Sequence, residues 1–257
     1  MWINWRLTMQ ISKEQINRYI GQINLKKISI IGQKKLLNSR VLIIGVGGLG
    51  TPALNYLARA GVEHFGIVDP DRVSLSNIHR QILFEKKDIG KLKTTIAKKK
   101  ILDINNKIKI QTFPIKINKA NIKKIINNYD IILDCTDSFK SKLEINDSCL
   151  KEKKILITGA VSRFIGHLFV FNFQSKKIKS PCLRCFMPVE PVGDRQDCQA
   201  EGILGTVTGL IGILMANETI KEIISRKNTL CGKILHVDLD KTDFRLITLS
   251  KNKNCKH

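Results

Sequence analysis

The stretch Arg40-Val-Leu-Ile-Ile-Gly-Val-Gly-Gly-Leu-Gly50 decides the fold. Four apolar residues, Val41 to Ile44, run straight into the pattern Gly45-x-Gly47-x-x-Gly50, and the helix-like segment Thr51 to Ala60 follows. That order predicts a buried strand, a tight turn and a helix start. Gly45 lets the chain turn, Gly47 with Gly48 lets backbone approach a phosphate, and Gly50 lets helix pack close to strand. The helix N-terminus then offers free N–H groups and a partial positive charge to an anion. Nineteen residues beyond Gly50, a second strand-like run, His64-Phe-Gly-Ile-Val68, ends in Asp69. A carboxylate at that distance can accept the ribose hydroxyls of a nucleotide. A glycine turn alone can serve packing only; with the flanking strand, the helix and the acid, it points to a nucleotide site.

At 257 residues the chain can hold one large α/β domain or two small ones, and 43% hydrophobic residues suffice for a core. The longest apolar run, Val207 to Ala216, is broken by Gly209 and Gly212 and falls short of the roughly 18 residues a membrane span needs. The first residues, Met1 to Met9, lack the apolar centre and cleavage site of a signal peptide, so the protein reads as cytoplasmic and without a membrane partner. Lys and Arg number 44 against 22 acids, a net charge of +22. The basic residues are spread through plain helices and nowhere interleave with aromatics as in a single-strand binder, so nucleic acid is disfavoured. Compositional bias is the first reading of the charge, and attraction of an acidic protein partner the second. Seven cysteines, an odd number, argue against a disulfide framework and leave metal or thiol chemistry for a subset.

In chain order, Ser12 and Gln15 stand at capping-box spacing and predict a short helix through Arg18-Tyr19. A second short helix around Ile31 to Leu37 leads to the first strand. After Asp69-Pro-Asp71 comes a loop from Val73 to Phe84, and then a helix from Asp88 to about Ile104 with Lys93 in its first turn. A cation there is disfavoured by the helix dipole unless an anion is near. Lys109 to Ile117 reads as a strand and Lys119 to Asn128 as a helix. Asp130-Ile-Ile-Leu-Asp134-Cys-Thr-Asp137 is a buried strand emerging into acids, where doubly wound folds place their ligands. A helix from Phe139 to Lys151, a strand from Lys154, and a strand from Gly166 to Phe173 without a crossover helix predict that the sheet turns mixed. An apolar helix from Gly205 to Ser225 should be buried, and a closing hairpin turns around Asp240. The expected fold is a Rossmann-like, doubly wound α/β sheet, mostly parallel, with antiparallel C-terminal strands.

Arg18-Tyr19, Gly45-Val-Gly-Gly-Leu-Gly50, Asp69-Pro-Asp71, Ser76-Asn77-Ile-His-Arg80-Gln81, Gly90-Lys-Leu-Lys93 and Asp134-Cys-Thr-Asp137, in that order, resemble one family. It is that of the enzymes that adenylylate the C-terminal glycine of small ubiquitin-like sulfur carriers, relatives of ubiquitin-activating enzymes. Gly32 to Ser39, Gly50-Thr-Pro-Ala53 and Arg80-Gln-Ile-Leu-Phe84 look closest to the thiamine-pathway (ThiF) type, with the molybdopterin-pathway (MoeB) type as the near alternative. The resemblance implies one adenylylation domain over 1–257. It comprises N-terminal helices at 11–37, a nucleotide-binding half at 38–160, and a carrier-binding half at 161–257 with a crossover loop near 187–202. It implies ATP as cosubstrate, with Asp69 holding the ribose, Asp71 among the nucleotide-binding residues, Arg80 and Lys93 on the triphosphate, and Asn77 orienting the phosphates or the Arg80 loop. Asp137 would carry Mg²⁺. The implied partners are the carrier, a sulfur-donor protein and a second copy of the chain.

Cys182-x-x-Cys185 resembles half of the family's four-cysteine zinc site, and the second half is reduced here to Cys255-Lys-His257. Zn²⁺ held by Cys182, Cys185, Cys255 and His257 is therefore a candidate, with a degraded site as the alternative. Cys198 resembles the cysteine that takes the activated carrier covalently, with Arg195 nearby to favour thiolate; a loop cysteine without a role is the alternative. One departure stands out: the family's Arg-Tyr-x-Arg-Gln reads Arg18-Tyr-Ile-Gly21-Gln22, with glycine where an arginine reaches the partner subunit's ATP. The competing readings are a non-catalytic carrier-binding scaffold and a nicotinamide-dependent dehydrogenase.

Overall fold

Strand β1 (Arg40–Ile44) lies at the centre of one eight-stranded sheet of order β3-β2-β1-β4-β5-β6-β7-β8. The computed structural model describes residues 11–174, 181–190, 202–224, 229–253 and 255. Successive residues of β1 point to opposite faces: Val41 and Ile43 enter one core, Leu42 and Ile44 the other. Being buried on both sides, the strand needs the unbroken apolar run its sequence shows. β2 (His64–Val68), β3 (Lys109–Phe113), β4 (Ile131–Asp134) and β5 (Ile155–Ser162) extend the sheet in parallel. β6 (Ile165–Asn172), β7 (Lys233–Asp238) and β8 (Asp243–Thr248) close it antiparallel, as the missing crossover helix predicts.

Helices α1 (Lys13–Ile23) and α2 (Ser29–Asn38) precede the sheet, and the Ser12–Gln15 capping box forms as expected. One face of the sheet is covered by α3 (Gly50–Ala60), α4 (Lys93–Ile104) and α8 (Gly205–Ile224), the other by α5 (Ile122–Ile126), α6 (Phe139–Lys151) and the short α7 (Leu183–Phe186). Helix α8 is indeed buried, through Val207, Ile211 and Met215 among others, but against this chain's own α3, β5 and β6. Its apolar character therefore carries no argument for a second subunit.

Three expected elements begin or end elsewhere. The segment from Asp88 does not open a helix: Lys86–Asp88 is a 3-10 turn, Gly90 takes φ +84°, and Gly90 N–H and Lys91 O pair back with Val73. The α-helix starts only at Lys93. Strand β3 stops at Phe113 rather than Ile117, because Pro114 has no N–H to continue the ladder. The helix expected over Lys119 to Asn128 shrinks to α5, since the Asn118 and Asn121 side chains bond local backbone instead.

Candidate functional site

The glycine loop after β1 is built on two positions no side chain can take. Gly45 has φ +92°, and a Cβ there would come within 2.8 Å of the Cys135 carbonyl oxygen; a Cβ on Gly50 would overlap the Gly45 carbonyl. The loop can thus press against β4 and start α3 at once. Gly47 and Gly48 line a cavity of about 510 Å³ at the carboxyl ends of β1, β2, β4 and β5, and a Cβ on Gly48 would meet Thr208 at 2.9 Å. Asp69, Asp71, Asn77, Arg80, Lys93 and Asp137 all line that cavity. Five stretches of the sequence, the glycine loop, 69–71, 77–81, Lys93 and Asp137, therefore converge on one pocket, at the end of the sheet where doubly wound folds bind ligands.

Each side chain is placed by local geometry. Asp69 is buried; its Oδ2 accepts from Val46 N–H at 2.7 Å and its Oδ1 from Asp71 N–H at 2.8 Å. It locks the glycine loop as well as facing the pocket, and each oxygen keeps a second lone pair. Burial pushes its pKa up, partly offset by the Lys93 charge and these backbone donors. Lys93, first residue of α4, is the cation a helix N-terminus repels. Asp71 supplies the missing anion, with Lys93 Nζ donating to Asp71 Oδ2 at 2.8 Å; the lysine side chain is 6% exposed and the aspartate 61%. Asn77 is buried and takes the Ser74 N–H on Oδ1, while its carbonyl accepts from the N–H groups of Arg80 and Gln81. Asn77 thus shapes the Arg80 loop. Arg80 Nη1 rests on the Ser76 carbonyl at 2.8 Å and beside His79 Nε2, with no carboxylate partner among the described residues.

Two acids expected together at the end of β4 separate. Asp134 is fully buried, its Oδ1 accepting from Thr136 N and Oγ1, its Oδ2 from Thr158 Oγ1 and Lys142 Nζ. It ties β4 to β5 and α6, and it is not among the residues that line the cavity. Asp137 is exposed at the pocket rim with no hydrogen-bond or ion-pair partner among the described residues. Lys142 was not expected at all. Its Nζ donates to Asp134 Oδ2 at 3.1 Å and to Gly159 O at 2.6 Å. The signal was there: 142, 145, 146 and 149 form the buried stripe of α6. A lysine on such a stripe must have an anion.

Outside the pocket, Cys182 Sγ lies 4.0 Å from Cys185 Sγ and 3.7 Å from Cys255 Sγ, all three within 4.8 Å of one another. Ligands about 2.3 Å from a tetrahedral zinc stand roughly 3.8 Å apart, so the three thiols fit that metal. Burial, then Cys255 and Cys185, push the Cys182 thiol up to about 12, a crowding that a dication would reverse. His257, Cys198 and Arg195 lie outside the described residues. In α1, Arg18 bonds the Ile104 carbonyl, Tyr19 packs on Gly61, and Gln22 bonds Gln33 and the Ala60 carbonyl. Gly21 is exposed, and a Cβ on it would meet nothing within 4 Å.

Comparison with known proteins agrees with this geometry. The chain is 33% identical over 249 residues to the sulfur carrier protein adenylyltransferase of Thermus thermophilus, covering 96% of this chain and 92% of that one. It is 44% identical over 226 residues to the probable molybdopterin-synthase adenylyltransferase of Porphyra purpurea, covering 87% and 58%. With the adenylyltransferase and sulfurtransferase MOCS3 of Drosophila willistoni it shares 39% over 249 residues, 96% of this chain and 54% of that one. The chain therefore spans little more than half the length of the latter two relatives. Among solved structures, E. coli MccB with ATP superposes with TM-score 0.78 at 21% identity, covering 97% of this chain and 82% of that one. PaaA gives 0.78 at 23%, covering 94% and 76%; at these identities both show the fold. The profile of the ThiF family matches residues 19–257, the span that carries the pocket, and this chain belongs to that family.

Proposed function

We propose that the protein adenylylates the C-terminal glycine carboxylate of a small ubiquitin-like sulfur carrier. The observation that carries this is the convergence of Arg80, Lys93 and Asp137, which has no partner among the described residues, on one pocket with the glycine loop. A carrier carboxylate oxygen attacks the α-phosphorus of ATP, the bond to the β-phosphate oxygen breaks, and pyrophosphate leaves. Both reactants are anionic, so catalysis is positioning and charge neutralisation. Gly47 and Gly48 admit the phosphates to the loop. Lys93 exchanges its Asp71 carboxylate for phosphate oxygens, and Arg80, held by the Ser76 carbonyl and the His79 ring, turns its guanidinium to the leaving group. Asp69 and Asp71 receive the ribose hydroxyls. Asp137 would hold the Mg²⁺ of MgATP, which neutralises phosphate charge.

The three clustered cysteines, with His257, would hold a structural Zn²⁺ that ties α7 to the C-terminal segment. Cys198 is assigned to the step after adenylylation, its thiolate attacking the activated carbonyl and releasing AMP. We place the carrier in the thiazole-forming branch of thiamine synthesis on the motifs around Gly32, Gly50 and Arg80. Activation of a molybdopterin-synthase subunit is the second reading, favoured by the name of the Porphyra relative. The proposed setting is a cytoplasmic homodimer; no described helix is long and apolar enough to cross a membrane.

The test is carrier-dependent exchange of pyrophosphate into ATP. Asp137→Ala should abolish exchange and leave the melting temperature unchanged, because its exposed carboxylate supports nothing in the core. Lys93→Ala and Arg80→Ala should each slow exchange by ~10²-fold or more. Normal exchange by Asp137→Ala would refute the magnesium assignment.

A further inference from the structure

Gln81 is the residue of this pocket whose chemistry has no use inside the fold. It is 3% exposed, and its Oε1 is wholly enclosed without a hydrogen-bond partner; among the described residues only Tyr19 Oη shares that state. The backbone around it is fully committed: Gln81 N–H bonds Asn77 O, and Gln81 O accepts from Phe84 N–H. The carboxamide is not, for neither of its atoms has a partner among the described residues. Its Nε2 is the heavy atom nearest the position a Gly47 side chain would occupy, 3.7 Å away. So the amide stands over the opened glycine loop, beside Arg80, on the wall of the cavity.

The enclosed Oε1 is an acceptor that an anion leaves unpaired; what a ligand can use is the Nε2–H, which makes no bond inside the fold, where an apolar side chain of equal volume would fill the site at lower cost. We infer that Gln81 is a phosphate-reading residue: its Nε2–H donates to a phosphate oxygen of the nucleotide seated on Gly47 and Gly48. This rests on the nucleotide reading above and adds to it the group that tells a polyphosphate from a bare nucleoside. Arg80 supplies charge there but is exchangeable with water and salt. A neutral donor fixed by burial supplies direction, which the loop glycines, having no side chains, cannot.

The experiment uses the full chain and compares MgATP with adenosine by calorimetry and thermal shift, without carrier so that nothing turns over. Gln81→Met keeps volume and removes the amide. Its melting temperature without ligand should equal or exceed the parent's, since an unpaired carbonyl is lost. Its dissociation constant for MgATP should rise about tenfold or more, the worth of a hydrogen bond to a charged acceptor, while that for adenosine stays within twofold. Gln81→Glu should weaken MgATP further by placing a carboxylate against phosphate. If Gln81→Met melts far below the parent, Gln81→Asn, which keeps the amide but shortens its reach, gives the same comparison. Equal MgATP affinity in parent and variants, or equal losses for MgATP and adenosine, would overturn the inference. A parent that binds no MgATP overturns the nucleotide reading itself, and the parent's own titration tells the two failures apart.

Discussion

Lys142→Met isolates the buried charge pair under the pocket. In the native fold Asp134 is fully enclosed and, among the described residues, its charge is met by one cation, the Lys142 ammonium at 3.1 Å, whose side chain is 6% exposed. Methionine keeps most of the volume, so the packing loss is small and the cost is electrostatic. Thr136 and Thr158 still donate to the carboxylate, but no counter-charge remains and the Gly159 carbonyl loses its 2.6 Å donor. Breaking one partner out of a buried pair costs about 3–5 kcal/mol. For a chain of this size that lowers the melting temperature by on the order of 10 °C. Urea unfolding followed by circular dichroism measures it. The double variant Lys142→Met/Asp134→Asn removes the stranded charge as well, so it should be more stable than Lys142→Met alone. A single variant within 1 kcal/mol of the parent, roughly the value of an exposed pair, would refute the reasoning. A double variant no better than the single would show that volume, not charge, sets the cost.

Gly21→Arg should fold at no cost, since a Cβ there meets nothing, and replacing an exposed glycine in the last turn of α1 stabilises by at most about 0.5–1 kcal/mol. Exchange activity should rise with it; unchanged activity would mean a nearby lysine already serves. His167 Nε2 lies 3.0 Å from His236 Nδ1, with Arg245 opposite His236 on the next strand. Burial, and then His236, depress the His167 pKa below its ordinary 6.5. The folded state thus binds fewer protons than the unfolded one, so stability is fully present above 6.5 and lost as pH falls below it. Urea midpoints at pH 7.5 and 5.5 should converge in His167→Gln relative to the parent; parallel loss would remove His167 as the cause. Incubation with a strong chelator should lower the melting temperature of the purified parent and not of Cys255→Ser, whose starting value is already reduced. Identical chelator responses would mean that the three thiols hold no metal.

The parallel half of the sheet was legible because burial on both faces demands continuous apolar runs, and Val41 to Ile44 and Ile131 to Leu133 have no other economical fate. The glycine loop was legible because its constraints are steric and local. What failed to show were ends and pairings. Asn118 and Asn121 look helical by neighbourhood and are consumed by turn bonds; the Asp88 segment turns on Gly90, whose positive φ no periodicity reports. Asp69 has the spacing of a ribose acid, but spacing does not report that its Oδ2 already holds the glycine loop at Val46 N–H and its Oδ1 the Asp71 N–H.

The heaviest obscuring factor was the lysine excess itself. With 44 lysines and arginines in the chain, no composition argument says which matter. Burial does: the described residues enclose two of them, Lys93 and Lys142, and both line the same cavity. Each is paired with an aspartate at the carboxyl end of a strand or just after it, Asp71 beyond β2 and Asp134 closing β4. Enclosing an ammonium is unfavourable unless an anion repays the lost hydration, so a chain under compositional drift towards lysine gains surface lysines freely and buried ones only where an acid waits. The two pairs differ in the exposure of that acid. Asp134 is sealed, and its pair is scaffolding; Asp71 is open, and under the proposed function its pair is the one exchanged for phosphate. On that reading the same ion-pair chemistry serves as frame at one wall of the pocket and as displaceable counter-charge at the other.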